Sequence, residues 1–320
     1  MGNPERPFII ALEEHYWDAE LASHFKGGEA NNARLRTRLE SLGQARLDAM
    51  NEAGIDFQVL SHGAPATQRL DGPMAVQLAR DVNDRLYEAV QRHPDRFSAF
   101  GVLPTSDPVA AGDELERVVT RLGFKGAMVH GLANGVFFDD RRFWPIYERA
   151  QKLDVPLYIH PAIPHPAVIE AYYRDYVKEF PSILNAGWGF TVETATQAIR
   201  IVLSGVLDAY PGVKLILGHL GEGLPFSLWR IDQAMSREGN RKTPFRETFR
   251  EHFWITTSGN FSTPALLCTL MEMGADRILF SVDWPYVENG PGVDWVRNLP
   301  LSTEDRDKIM HGNARRLLHL

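Results

Sequence analysis

Short apolar runs alternate along this chain with longer segments whose apolar positions recur at helical spacing. Eight runs have strand length: Phe8 to Leu12, Phe57 to Leu60, Phe97 to Leu103, Gly126 to Val129, Pro156 to Ile159, Lys214 to Leu217, Phe253 to Thr257 and Ile278 to Val282. Between most of them lie amphipathic stretches, namely Leu42 to Ala53, Ala75 to Arg92, Ala110 to Leu122, Phe143 to Leu153, Val192 to Leu207 and Pro264 to Met273. Strand then helix, eight times over, predicts an α/β fold of the (β/α)8 TIM-barrel type. No repeat, low-complexity tract or linker divides the chain, so residues 1–320 read as one barrel domain. Two connections are long, His15 to Leu39 and Pro161 to Thr191, and such loops in compact folds serve as lids or substrate walls.

The ends of the runs change the picture from architecture to chemistry. The first run closes on Glu13-Glu14-His15, and a buried strand does not ordinarily end on two carboxylates and an imidazole. Alternation along a strand puts Glu13 and His15 on one side and Glu14 on the other. Just past the other runs stand His62, Pro104, His130, His160, His219, Ser258 and Asp283, so five of the eleven histidines fall at strand C-termini. Reacting groups of such barrels gather on that face.

Glu13, His15, His160 and Asp283 come from strands one, five and eight, which ring closure lets converge. Two carboxylates balance a divalent cation, and oxygen and nitrogen donors without thiolate suit Mn²⁺ or Zn²⁺. Lys125 and Lys214 fall at strand starts, on the opposite face, so a metal pair bridged by a modified lysine is not expected and one ion is. His219 and Glu222 sit in the glycine-rich turn Gly218-His219-Leu220-Gly221-Glu222-Gly223, where the carboxylate can fix the tautomer of the imidazole and raise its basicity. His62 and His130 read equally as loop anchors or pocket residues. Arg230, within Leu228-Trp229-Arg230-Ile231-Asp232, can hold an anionic substrate or pair with Asp232. Trp188, Phe190, Trp284 and Tyr286 border the expected mouth and suit a flat aromatic ligand, or simply pack there.

Composition narrows the partners. A formal net charge of −7 argues against nucleic acid and anionic membrane surfaces, and no apolar run reaches the roughly 20 residues that span a bilayer. The polar stretch Met1 to Pro7 and the single Cys268, placed in an apolar helical segment, lead to the expectation of a cytoplasmic protein.

Taken together these motifs resemble the amidohydrolase-superfamily decarboxylases, in the branch of γ-resorcylate and 2,3-dihydroxybenzoate decarboxylases. The carriers are Ala11-Leu12-Glu13-Glu14-His15, Tyr158-Ile159-His160-Pro161, residues 188–196, residues 217–225, Leu228-Trp229-Arg230-Ile231-Asp232, Ser258-Gly259-Asn260-Phe261 and Phe280-Ser281-Val282-Asp283-Trp284-Pro285. The resemblance implies one divalent metal on Glu13, His15, His160 and Asp283, catalytic assistance from His219 and Glu222, substrate contact by Arg230, and a homodimer or homotetramer. The Glu-x-His start separates the chain from the aminocarboxymuconate-semialdehyde decarboxylase branch, which begins His-x-His. His130 and Trp284-Pro285-Tyr286 depart from the γ-resorcylate pattern and leave the ring substitution open. The expected activity is reversible, non-oxidative decarboxylation of an ortho-hydroxylated aromatic acid, with Asp283 delivering a proton to the carboxyl-bearing carbon. The rival expectation is a metal-dependent hydrolase or hydratase that uses bound water.

Overall fold

The structure, a computed structural model, describes residues 6–25, 32–239 and 243–320. Part of the long connection after His15 falls on residues 26–31 and lies outside the described residues. Eight parallel strands form the centre: β1 (Ile10–Tyr16), β2 (Phe57–His62), β3 (Phe97–Ala99, resuming at Gly101–Val102), β4 (Ala127–His130), β5 (Pro156–His160), β6 (Lys214–Leu217), β7 (Phe253–Thr256) and β8 (Ile278–Leu279). Each strand pairs with the next in chain order. At Phe100 the third strand turns from one neighbour to the other, its N–H going to Leu60 C=O at 2.9 Å while Gly101 N–H reaches Gly126 C=O at 2.9 Å. A parallel bridge between Leu12 and Ser281 closes the ring, supported by His15 N–H on Trp284 C=O at 2.7 Å.

The barrel interior is filled by one large residue or more from nearly every strand: Ile10, Leu12, Val59, Phe100, Met128, Tyr158, Ile216 and Leu279, with Ala314, Leu317 and Leu318 of the last helix packed beneath them. That helix, Asn313–Leu318, plugs the foot of the barrel and leaves the C-terminal mouth for polar groups. A larger apolar layer, including Ile9, Leu60, Val129, Ile159 and Leu217, lies between the strands and the surrounding helices. Alternation along each strand therefore feeds two cores at once, which is why the runs look continuously apolar in sequence.

A helix follows every strand. Six match the amphipathic stretches, and Leu224–Ser236 carries Arg230 as its motif implies. The eighth, Asn289–Arg297, follows β8 even though Gly290-Pro291-Gly292 lies at its start and such residues usually break helices. Pro291 falls in the first turn, where no N–H is needed, and Gly292 lies so close to the Phe261 ring that an added Cβ would sit 2.5 Å from it. No helix among the described residues is long and apolar enough to cross a membrane.

Candidate metal centre and active site

The strand β1 runs on through the polar triplet, and all seven of its residues are buried. Its register with β2 passes from Ala11 opposite Gln58 to Glu14 opposite Leu60, three steps against two, so one residue is extra. That bulge is at Glu13, whose φ of +58° lies in the left-handed region. Asp283 (φ +71°) and His219 (φ +52°) share this conformation. Each such residue costs roughly 1–3 kcal/mol and persists only where its surroundings over-determine it, as at active sites.

The result is convergence. One ligand atom each from Glu13, His15, His160 and Asp283 lies within 4.8 Å of all the others. His15 Nε2 is 3.3 Å from Asp283 Oδ1, and His160 Nε2 is 3.3 Å from Glu13 Oε1. The far sides of Glu13, His15 and His160 are held. Glu13 Oε2 accepts hydrogen bonds from Tyr158 OH and Ser258 Oγ, with Thr256 Oγ1 at 3.3 Å. His160 Nδ1 donates to Pro161 C=O at 2.7 Å, and His15 Nδ1 meets Ser61 Oγ at 3.1 Å. With the outer nitrogen of His160 engaged as donor, its Nε2 turns a lone pair inward, a tautomer assigned from the network.

The residues present fit a cation. Glu13 Oε1 and His15 Nε2 are buried and make no hydrogen bond, which is costly unless something charged meets them. Burial, helped by His15 and His219 nearby, holds the His160 imidazole well below the ordinary histidine value, hence neutral and able to ligate. Burial also raises Glu13 above the usual carboxylate range, a penalty that an ion among the donors would offset. Two oxygens and two nitrogens are the donor set of Mn²⁺ or Zn²⁺.

Beside the four donors the chain makes a tight left-handed turn in which residues 219–223 all have positive φ. This swings His219 Nδ1 onto Glu222 Oε1 at 2.7 Å and points Nε2 at Asp283 Oδ2, 3.7 Å away. Burial alone would depress this imidazole, but Glu222, Glu13 and Asp283 together hold it well above the ordinary value. Burial likewise opposes ionisation of Asp283, yet the His15 and His219 imidazoles beside it keep its carboxyl below the usual range. The side chain of His219 is 24% exposed and that of Asp283 17%, while His15 is fully buried, so these two are the groups of the cluster that meet solvent.

The remaining candidates are spread differently. His130 is buried with Nδ1 2.9 Å from His160 Nδ1 and its ring edge-on to His160 at 4.7 Å, so it buttresses a donor. His62 anchors a loop, donating to Gly63 C=O at 2.8 Å and accepting from Asp18 N–H at 3.0 Å. Tyr286 stands edge-on to His15 with ring centroids 5.6 Å apart. Trp284 is buried beneath the Arg46 guanidinium, 4.2 Å from the ring centroid, and so packs instead of lining the mouth. Trp188 is exposed and Phe190 half-buried, and neither makes an aromatic contact with the donors among the described residues. Arg230 is exposed on its helix and makes no ion pair among the described residues, the Asp232 pairing included.

Comparison with known proteins bears on what this arrangement is for. The amidohydrolase family model matches residues 13–320. The chain belongs to this family. A γ-resorcylate decarboxylase of Polaromonas is 41% identical, the match covering 97% of this chain and 98% of the relative. A solved 2,6-dihydroxybenzoate decarboxylase complexed with 2,6-dihydroxybenzoate superposes with a TM-score of 0.89 at 40% identity, covering 98% of this chain and 100% of that one. A dihydroxybenzoic acid decarboxylase from Polaromonas with bound manganese and the inhibitor 2-nitroresorcinol gives a TM-score of 0.90 at 40% identity, over 98% and 97% of the two chains.

As an amidohydrolase-family site, this one includes residues to which sequence reading gave no role. Tyr158, Thr256, Ser258 and Ser281 form a chain of hydroxyls ending on Glu13, with Ser258 Oγ 2.7 Å from Ser281 Oγ. The signal was present in part: Tyr158 precedes His160 by two residues and so shares its side of β5. Gly218 is also part of the site, because a Cβ there would lie 3.0 Å from Glu13 Oε2 and 3.2 Å from Tyr158 OH.

Proposed function

We propose that this chain is a metal-dependent carboxy-lyase that removes carbon dioxide, without oxidation, from an aromatic acid carrying an ortho hydroxyl, and that it runs in reverse at high bicarbonate. The observation that carries the reading is the meeting of Glu13, His15, His160 and Asp283 with a hydrogen-bonded His219–Glu222 pair alongside. Relatives at 40% identity that bind dihydroxybenzoate and manganese support the substrate class and the ion. Held by the four donors, Mn²⁺ or Zn²⁺ supplies Lewis acidity that favours the ionised ortho hydroxyl and fixes the carboxylate beside it.

The chain's own groups handle the proton. Asp283 receives it at Oδ2, the oxygen that faces His219 Nε2. It then delivers that proton to the ring carbon bearing the carboxylate, where ring π electrons form the new C–H bond. When the bond to the carboxylate carbon breaks, its electron pair returns to the ring, aromaticity is restored and carbon dioxide leaves. One proton is consumed per turnover, and His219, charged and in contact with solvent, refills Asp283 while Glu222 stabilises the imidazolium. Tyr286 beside His15 offers an aromatic wall for the ring.

A homo-oligomer belongs to this proposal. Phe226 is 86% and Trp229 61% exposed on the helix that carries Arg230, an apolar surface suited to a second copy. Trp188 and Arg230 are exposed too, so substrate contact by either depends on that assembly or on side-chain movement. A cytoplasmic setting is supported by the lone free thiol of Cys268.

The deciding experiment assays hydroxybenzoates with and without an ortho hydroxyl for carbon dioxide release and for uptake of labelled bicarbonate. Release and exchange confined to ortho-hydroxylated acids are expected; product bearing solvent oxygen with no carbon dioxide would establish the hydrolase or hydratase instead. Asp283→Asn is expected to lower kcat by about 10³-fold or more while retaining part of the manganese. Turnover near the parent value would remove Asp283 as the acid.

A further inference from the structure

Directly behind the metal centre lies a buried cluster of ionisable and polar groups that the proposed chemistry does not use. Glu14 and Arg46 are both fully buried. Glu14 Oε1 accepts the Val282 N–H at 2.9 Å, and its Oε2 faces Gln58 Nε2 at 3.4 Å. Arg46 donates through Nη1 to Gln58 Oε1 at 3.3 Å, through Nε to Ser41 C=O at 3.0 Å, and through Nη2 to the carbonyl of His15. The same guanidinium lies 4.2 Å above the Trp284 ring, immediately after Asp283.

Burying a carboxylate and a guanidinium costs several kcal/mol per ion, and well-packed apolar residues in their place are often as stable. Stability of the fold is thus a poor reason for this cluster. Its hydrogen bonds point to a better one. Glu14 holds the amide of the residue before Asp283, and Arg46 holds the carbonyl of His15. Gln58, on the neighbouring strand, ties the two together. The backbones so gripped are those that bring His15 Nε2 and Asp283 Oδ1 to 3.3 Å, with Asp283 in the left-handed region. A donor pair that close, one of the two on strained backbone, needs restraint from both sides.

We infer that Glu14 and Arg46, bridged by Gln58, are positioning residues that set the separation of the donors His15 and Asp283 and so the affinity of the metal centre. The inference rests on the metal-dependent reading above, but its test is read in metal binding and not in decarboxylation, so the two can fail separately. Chelator-stripped full-length protein is titrated calorimetrically with Mn²⁺, the bound ion is examined by electron paramagnetic resonance, and melting is recorded without metal. Glu14→Gln and Arg46→Met are each expected to weaken Mn²⁺ binding by about 10- to 100-fold and to broaden the resonance. Each single variant is also expected to melt lower without metal, because removing one partner leaves the other buried and unpaired, so the inference is read in the Mn²⁺ affinity of the folded protein. Arg46→Lys, which can still reach the His15 carbonyl, is expected to recover part of the affinity. Mn²⁺ affinity within about twofold of the parent in both variants would overturn the inference, as would a lower metal-free melting temperature with binding unchanged. Should Arg46→Met fail to fold, Gln58→Leu is read the same way: weakened binding supports the bridge and unchanged binding overturns it.

Discussion

At the scale of single residues, the site is governed by what stands behind each ligand. Glu13 offers one oxygen to the centre because hydroxyls occupy the other. Tyr158→Phe removes one of those donors without changing volume much, and is expected to weaken Mn²⁺ binding about tenfold, as a calorimetric titration would show. The His219–Glu222 pair makes a prediction with a sign. Glu222 helps raise the imidazole, so Glu222→Gln lowers it. If protonated His219 refills Asp283, activity falls as pH rises through the pKa of that imidazole, and the basic limb of the kcat profile moves to lower pH in the variant. An unmoved limb would separate His219 from proton supply.

At the scale of elements, the strand ends and the turns after them matter more than the strands. The eight apolar runs found their places with shifts of a few residues, because burial on two faces writes itself plainly into sequence. The bulge at Glu13 and the left-handed turn at 219–223 did not, since both are set by contacts from other strands. Leu220 N–H, for instance, reaches Thr256 C=O at 2.8 Å. Gly218 follows β6 against Glu13 and Tyr158, so Gly218→Ala presses on the Glu13 carboxylate and the Tyr158 hydroxyl. The expected outcome is at least tenfold weaker Mn²⁺ binding, with melting of the metal-free protein lowered by only a few degrees. Loss of the fold without change in metal affinity in the surviving protein would contradict this account. The helix Asn289–Arg297 forms although Gly290-Pro291-Gly292 near its start have poor helix propensity, with Gly292 packed closely on Phe261.

For the molecule as a whole, the C-terminal helix closes the foot of the barrel and the polar groups collect at the mouth, so stability and chemistry occupy opposite ends. Acid should test how far the mouth taxes the fold. Burial drives His62 down to about 4 from its ordinary 6.5, so the folded protein binds fewer protons than the unfolded chain between these values. Its share of stability is complete above pH 6.5 and lost as pH falls towards 4, at most about 3 kcal/mol. Urea unfolding at pH 7 and pH 5 is expected to show a smaller decline in His62→Gln, whose carbonyl can still accept from Asp18. An identical decline in both proteins would assign the acid sensitivity elsewhere.

The order of the strands and of most helices, the candidate donors at the strand ends and the nearness of His219 to Glu222 were legible in the sequence alone, because periodicity and strand-end position are local properties. What only the tertiary structure decided was how these groups are held. His130 turned out to stand behind His160, Trp284 to lie under Arg46, and Glu14 to grip the backbone before Asp283. Each of those contacts joins residues from different strands of a closed ring, and no spacing along the chain encodes a distance across it.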